Sequence, residues 1–302
     1  MTQPVYLVDA SIYIFRAYFS LPERWHSPEG YPLNAVYGYT SFLLDLLEKL
    51  GPGEHLLAAT FDESLGTCFR NDIYPQYKES RELPDEALAY QLNACRQVTE
   101  LLGIPSFGGQ RYEADDYIAT LARLGRDQKR PVQIISRDKD LGQLLLDPGD
   151  RLWDFAGNIK HDAAAFEERF GVTPWQFPDY QGLVGDPIDD IPGVPAVGAK
   201  SGTLLIQAFG SLESLADNLQ SLDGLGLRGV ARIRTNLEQH WDTALVSRQL
   251  ARLESSIAGV GLPDAYQLRA ASAAALVDYL ESVQLRGGVM NRSRALLARL
   301  ED

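Results

Sequence analysis

Cysteine, histidine and lysine are all scarce in this 302-residue chain. Two cysteines, Cys68 and Cys95, exclude a disulfide framework and a multi-cysteine zinc site. The four histidines, His26, His55, His161 and His240, stand far apart, without metal-ligand spacing. No run of 18 or more residues is apolar, which excludes a membrane-spanning helix. No basic leader or apolar signal region precedes the first strand-like run, so the expected setting is a reducing cytoplasm. Repeats and low-complexity segments are missing too. Lysines number only 6 against 22 arginines, and arginine favours bidentate contact with phosphate. The net charge of −13 argues against a broad basic surface for nucleic acid, although not against a shaped site.

What the chain has in quantity is carboxylate at particular places. Asp9 ends the apolar run Val5-Tyr6-Leu7-Val8, and Asp62 ends Leu56-Leu57-Ala58-Ala59-Thr60-Phe61. Asp138 and Asp140 follow Val132-Gln133-Ile134-Ile135-Ser136. Short apolar runs alternating with helical patterns read as buried parallel strands, whose ligands bind beyond their carboxyl ends. With Glu113, Asp115, Asp116, Asp186 and Asp189, nine acids converge on one edge of such a sheet and carry much of the negative charge. So many acids need compensation, and hard divalent cations supply it. Two or more Mg²⁺ or Mn²⁺ ions acting on phosphate esters are the expectation.

The length allows one large or two ordinary domains, and 45% hydrophobic residues support a real core. Strands are expected at 5–9, 56–61, 104–107, 132–136 and 151–155, and helices at 34–50, 85–102, 114–125 and 140–146. A loop is expected between the first strand and the helix at 34. From residue 174 onward the pattern is helical, with segments at about 201–209, 211–219, 228–253 and 272–283.

Each motif has an ordinary use when taken singly. The triplet Glu113, Asp115, Asp116 opens a helix, where acids complement the dipole. Asp9 can cap a turn. The glycine-rich stretch from Gly185 to Lys200 can be a tight helical turn, or its backbone N–H groups can hold a phosphate. Arg70, Tyr74, Tyr77, Lys78 and Arg81 interleave bases with aromatics, as single-strand binders do and as solvated loops also do. Arg16 either clamps a phosphate or pairs with a cluster acid. The joint pattern of acids favours a site.

These pieces resemble the bacterial 5′-nucleases: the 5′→3′ exonuclease domain of DNA polymerase I, its stand-alone relatives and, more distantly, the flap endonucleases. The matching stretches are Leu7-Val8-Asp9-Ala10-Ser11, Phe61-Asp62, Phe69-Arg70, Tyr74-Pro75-Gln76-Tyr77-Lys78-Glu79-Ser80-Arg81, Glu113-Ala114-Asp115-Asp116, Ser136-Arg137-Asp138-Lys139-Asp140-Leu141 and Gly185-Asp186 through Lys200, in the family's order over about residues 5–255. The resemblance implies an α/β, PIN-like nuclease core with a mostly parallel central sheet over 1–171. It implies a helical arch at about 63–84 that a 5′ single strand threads. It also implies a helical domain over 172–302, with a DNA-gripping helix–three-turn–helix at about 185–210 that holds K⁺.

By the same resemblance, Asp9, Asp62, Glu113, Asp115, Asp116, Asp138, Asp140, Asp186 and Asp189 are metal ligands or their neighbours. Lys78 and Arg81 would act on the scissile phosphate. Arg16, Arg70, Tyr77, Gly193, Val197, Gly198 and Lys200 would contact DNA. The implied partners are DNA with 5′ flaps, 5′ overhangs or junctions, together with RNA primers. The implied protein is a monomer near the bacterial nucleoid, without a membrane. Since no polymerase domain follows, a stand-alone nuclease is expected. Asp190 stands where the family commonly has Asn, and Arg137 where it has Gly; the last 45 residues match loosely. Two rivals make other demands. A non-catalytic DNA-structure binder has no need of the acids, and an aspartate phosphotransferase has no use for the Arg/Tyr/Lys segment.

Overall fold

Val5–Asp9 forms β1, and Asp9 then caps α1 (Ala10–Ser20) by accepting a hydrogen bond from the Ile12 N–H at 3.4 Å. One residue therefore ends a strand, starts a helix and leaves its carboxylate at the junction. The structure is a computed structural model and describes residues 2–301. The chain continues through α2 (Asn34–Leu50), β2 (Leu56–Asp62), α3 (Phe69–Ile73), α4 (Glu86–Leu101), β3 (Ser106–Gly109), α5 (Ala114–Asp127), β4 (Val132–Ile135), β5 (Arg151–Asp154) and β6 (Ile159–His161). Helices follow: α6 (Ala163–Phe170), α7 (Phe177–Val184), α8 (Ala199–Phe209), α9 (Leu212–Asp217), α10 (Val230–Gln239), α11 (Trp241–Ala251), α12 (Ala270–Ser282) and α13 (Gly288–Glu301). Among the described residues no helix is long and apolar enough to cross a membrane.

The six strands run in the order β3-β2-β1-β4-β5-β6, all parallel except β6, which pairs antiparallel to β5. The order departs from β1 in both directions, so a crevice opens beyond the carboxyl ends of β1 and β4. Alternate residues of the strands serve two cores. Val8, Ala59 and Ile135 pack under α1, α2 and α4. Val5, Leu7, Ala58, Val132 and Ile134 pack against α5 and the helices after residue 176.

Four expectations change. Residues 10–20 are a helix rather than a loop. The helix read over 228–253 breaks at His240, whose ψ of 27° is not helical. The segment 63–84 is not a helical arch: it holds only the five-residue α3 and then turns. Finally, residues 172–302 are not one helical unit. Leu276, Leu280, Val289 and Met290 of α12 and α13 return to the first core, beside Leu43, Leu46 and Val98. Tyr266 bridges back to His55 through paired backbone hydrogen bonds of 2.7 and 2.8 Å.

Candidate active site

The ends of β1, β2 and β4 and the start of α5 deliver Asp9, Asp62, Asp138 and Asp115 to the crevice. Their mutual fields show how the acids group. Asp115 feels Asp138, Asp9 and Glu113, whereas Asp140 feels Asp138, Asp189 and Asp186. Asp138 acts on both, which ties these acids into one connected group.

No base lies within 4 Å of Asp9, Asp62, Asp115 or Asp138 among the described residues. Burial dominates there and disfavours charge. It pushes Asp9 up to about 7, with Asp138 and Asp62 adding to the rise and the Ser136 hydroxyl opposing it. Burial, then Asp138 and Asp9, pushes Asp115 well above the usual carboxylate range. Burial and Asp138 push Asp140 up to about 7, and Lys139 opposes them. Burial and Glu113 raise Asp62, against Lys78 and Ser64.

Protein donors fix how several of these acids face the crevice. Asp138 Oδ1 accepts from the Asp140 N–H at 2.9 Å, and Asp62 Oδ1 accepts from Ser64 Oγ at 3.0 Å. Asp140 Oδ1 accepts from Gln181 Nε2 at 2.9 Å. In each case Oδ2 takes no protein donor among the described residues. Gln181, on α7, is a functional candidate that sequence reasoning missed. A neutral amide inside a helix carries no charge signal, although its place five residues before Asp186 was available.

Glu113 and Asp116 behave differently. The Arg70 guanidinium, 1% exposed, donates to Asp116 through both terminal nitrogens at 2.7 Å and to Glu113 at 3.0 Å. Its Nε donates to the Leu250 carbonyl at 2.7 Å. Asp116 also closes the capping box of α5 and accepts from the Glu254 N–H. Its oxygens are committed, which overturns its reading as a metal ligand. Arg70 and Tyr77 are likewise corrected from surface DNA contacts to interior groups. Tyr77 is 4% exposed and donates its hydroxyl to Glu113 at 2.9 Å. Cys68 also lies beside Glu113 and Asp116, but Arg70 already hydrogen-bonds to all three. Glu113 pairs in addition with Lys78. Burial would raise Glu113; Lys78 and Arg70 outweigh it and leave the carboxyl below its usual range.

The segment 74–84 is a strap lying on this cluster. The Lys78 N–H donates to the Asp189 carbonyl at 3.0 Å, and Arg81 pairs with Asp189 at 2.5 Å. Asp190 Oδ2 accepts from the Ser80 N–H at 2.8 Å and from its hydroxyl at 2.7 Å. Lys78 and Asp190 both hold left-handed backbone, φ 55° and 54°, an unfavourable state that such contacts maintain. Asp186 faces Lys139 at 2.5 Å.

The turn after α7 carries the other candidates. Gly193 sits where a Cβ would lie 2.3 Å from the Val184 carbonyl oxygen, so chain packing requires this glycine. Val197 is buried in the second core and makes no exposed contact. Val197 is thereby corrected from a DNA contact to an internal support. Gly198 precedes α8, whose first turn has no side-chain cap. A Cβ there would meet nothing within 4 Å, and Lys200 is exposed beside it. That combination leaves helix N–H groups open to an anion. Arg16 is exposed on α1.

The donor set suits a hard divalent cation. It consists of carboxylate oxygens, with free Oδ2 atoms and buried acids whose charge only a cation can stabilise.

Comparison with known proteins agrees with this geometry. Residues 4–171 match the model of the 5′-3′ exonuclease N-terminal resolvase-like domain, and residues 172–273 match that of the 5′-3′ exonuclease C-terminal SAM fold. DNA polymerase I of Mycobacterium bovis is 34% identical over 267 residues, covering 87% of this chain and 28% of that protein. This chain therefore spans little more than a quarter of that relative. A 5′-3′ exonuclease of Buchnera aphidicola subsp. Schizaphis graminum is 30% identical over 255 residues, covering 84% of this chain and 88% of that one. Among solved structures, T5 5′-exonuclease with bound zinc matches with a TM-score of 0.63 at 21% identity, covering 99% of this chain and 100% of that one. The catalytic core of Rad2 with a DNA substrate matches with a TM-score of 0.65 at 16% identity, covering 99% and 92%. These two likenesses show the fold.

Proposed function

The chain belongs to the 5′-3′ exonuclease family, and from that premise we propose that it is a metal-dependent, structure-specific 5′-nuclease. It hydrolyses phosphodiester bonds near 5′ ends and at 5′ flaps of DNA, leaving 5′-phosphates, and it also removes RNA primers. The observation that carries this reading is the group of buried and half-buried acids, Asp9, Asp62, Asp115 and Asp138 among them with no base within 4 Å, set beside a lysine and an arginine on a strap.

Asp9, Asp62, Asp115, Asp138 and Asp140 would hold Mg²⁺ or Mn²⁺, with Glu113, Asp186 and Asp189 at the margin. When bound, such ions lower the pKa of an attacking water and stabilise charge on the phosphate and leaving oxygen. Gln181 and Ser64 orient Asp140 and Asp62, which limits each to its remaining oxygen. Lys78 donates to a non-bridging phosphate oxygen once it leaves Glu113, and Arg81 adds positive charge nearby. The α8 N-terminus, with Gly198 and Lys200, grips a duplex phosphate, and K⁺ at the same turn would strengthen that grip. Arg16 contacts the strand at the crevice. Specificity arises from junction shape, because phosphate contacts carry no base code. The protein works as a monomer at the bacterial nucleoid.

A labelled 5′-flap substrate, incubated with Mg²⁺, with Mn²⁺ and with EDTA, tests this. Cleavage at the junction in either metal and none in EDTA is expected. Full activity in EDTA, or an intact flap and intact 5′ overhang in both metals, would overturn it.

A further inference from the structure

The strap at 74–84 has a buried half and an exposed half. Tyr77 is 4% exposed and the Lys78 side chain 11%, whereas residues 79–83 all face solvent. The Lys78 ammonium pairs with Glu113 and lies 3.8 Å from Asp189. Asp62 and Asp115 lie within its field as well. With the strap down, this charge is spent on protein carboxylates. A phosphate can use it only after the strap shifts.

The exposed half has little to hold it. Residues 79–83 join none of the apolar clusters among the described residues. Two side-chain contacts tie them to the turn at 186–191. One is the Arg81–Asp189 pair, which is part-exposed and so worth little. In the other, the Ser80 N–H and hydroxyl converge on a single oxygen, Asp190 Oδ2, at 2.8 and 2.7 Å. Bonds to an ionised acceptor are roughly twice as strong as neutral ones. The turn itself is firm, because Asp186 and Ile191 exchange backbone hydrogen bonds of 2.9 Å across it. Asp190 is therefore the fixed post and Ser80 the movable catch.

We propose that Ser80 and Asp190 form a latch that keeps the strap closed with Lys78 against Glu113, and that a substrate phosphate reaches Lys78 only when this latch opens. Asp190 is thus a positioning residue, acting on Lys78 through Ser80. The consequence for substrate rests on the nuclease reading; the latch itself is observable without DNA.

Two variants test it. Asp190→Asn removes the charge and keeps a residue type that tolerates the left-handed backbone at φ 54°. Ser80→Ala removes the hydroxyl and alters no charge. Amide hydrogen exchange is followed in ¹⁵N-labelled protein in EDTA. The Lys78 N–H is the reporter, because its acceptor, the Asp189 carbonyl, survives both substitutions. Its exchange should quicken about fivefold in each variant, as for a weakened bond to a charged acceptor. Unchanged exchange in either variant would overturn the latch.

Single-turnover cleavage of a 5′ flap in Mg²⁺ then reads the consequence. At limiting enzyme the rate should rise about fivefold in both variants, while the rate at saturating enzyme stays within about twofold of the parent. A merely structural contact would lower both rates instead. A rise in Asp190→Asn alone would trace the effect to charge repulsion and overturn the proposal, as would faster exchange without faster capture of substrate. A parent that leaves the flap intact would sink the nuclease reading, and the exchange measurement would still decide the latch.

Discussion

Two flanks of one crevice use the same residue type in opposite ways. Around Glu113 and Asp116 every acid has its cation: Arg70 serves both, and Lys78 serves Glu113. Around Asp9, Asp115 and Asp138 there is none within reach among the described residues. Asp9 and Glu113 are equally buried, yet Glu113 falls below its usual pKa while Asp9 rises to about 7. Compensation, not depth, separates a carboxylate that holds the fold from one that is left to hold an ion.

The sharpest way to break this contrast is to change one acid of the proposed metal site, even one that has Lys139 at 3.6 Å. Asp140→Asn should lower cleavage by on the order of 10³-fold, because an ion supplies several kcal/mol of transition-state stabilisation. Junction binding in a gel shift should survive or improve, and metal-free stability should not fall, since repulsion is relieved. Near-wild-type turnover would remove Asp140 from the metal site.

On the paired flank the expected damage is to the fold. Arg70→Met strands the buried Asp116 carboxylate, leaves Glu113 to Lys78 and Tyr77, and should lose about 3–5 kcal/mol of stability in a urea titration. A midpoint matching the parent would mean that Arg70 is dispensable and the pairing incidental.

Lys78 belongs to both flanks, and Lys78→Ala should separate its two uses. The single-turnover rate on a 5′ flap should drop about 10²–10³-fold while affinity changes far less. Weaker binding at an unchanged rate would make it a phosphate contact only.

pH gives a smaller effect of opposite sign on the two sides. Asp9 and Asp140 bind protons more tightly folded than unfolded, their ordinary value being 3.8. Their contribution is fully present below that value and is lost as pH rises toward about 7. Glu113, held low, contributes above its ordinary 4.5, and that stability is lost as pH falls through its folded value. Metal-free protein should therefore lose stability between about pH 4 and 7, and saturating Mg²⁺ should flatten the loss. Melting curves that show the same slope with and without Mg²⁺ would contradict the assignment.

Much of this was legible in the sequence, for reasons that individual residues make plain. Asp9, Asp62 and Asp138 stand where apolar strands stop, and strand-end acids of a parallel sheet must meet. Helix α1 was not legible because Ile12, Tyr13, Ile14 and Phe15 show no polar face to set a period. Arg70 was misread because an arginine among aromatics has the same local pattern whether it faces DNA or the interior. Only the fold supplies Leu250 and Arg252, 180 and 182 residues away, whose carbonyls it also meets. Val197 was misread for the same reason: a turn's sequence does not say which of its members look inward.

The return of α12 and α13 to the first core bears on how the protein is made. Leu276, Leu280 and Met290 complete the layer over Leu43, Leu46 and Val98, contacts more than 150 residues apart in the chain. Such distant closure is slow and comes late. During vectorial synthesis the sheet can assemble early, but its covering layer must wait until α12 and α13 have left the ribosome. A nascent chain would thus hold its acids on an unfinished platform, and the crevice would acquire its final shape only once both helices have emerged.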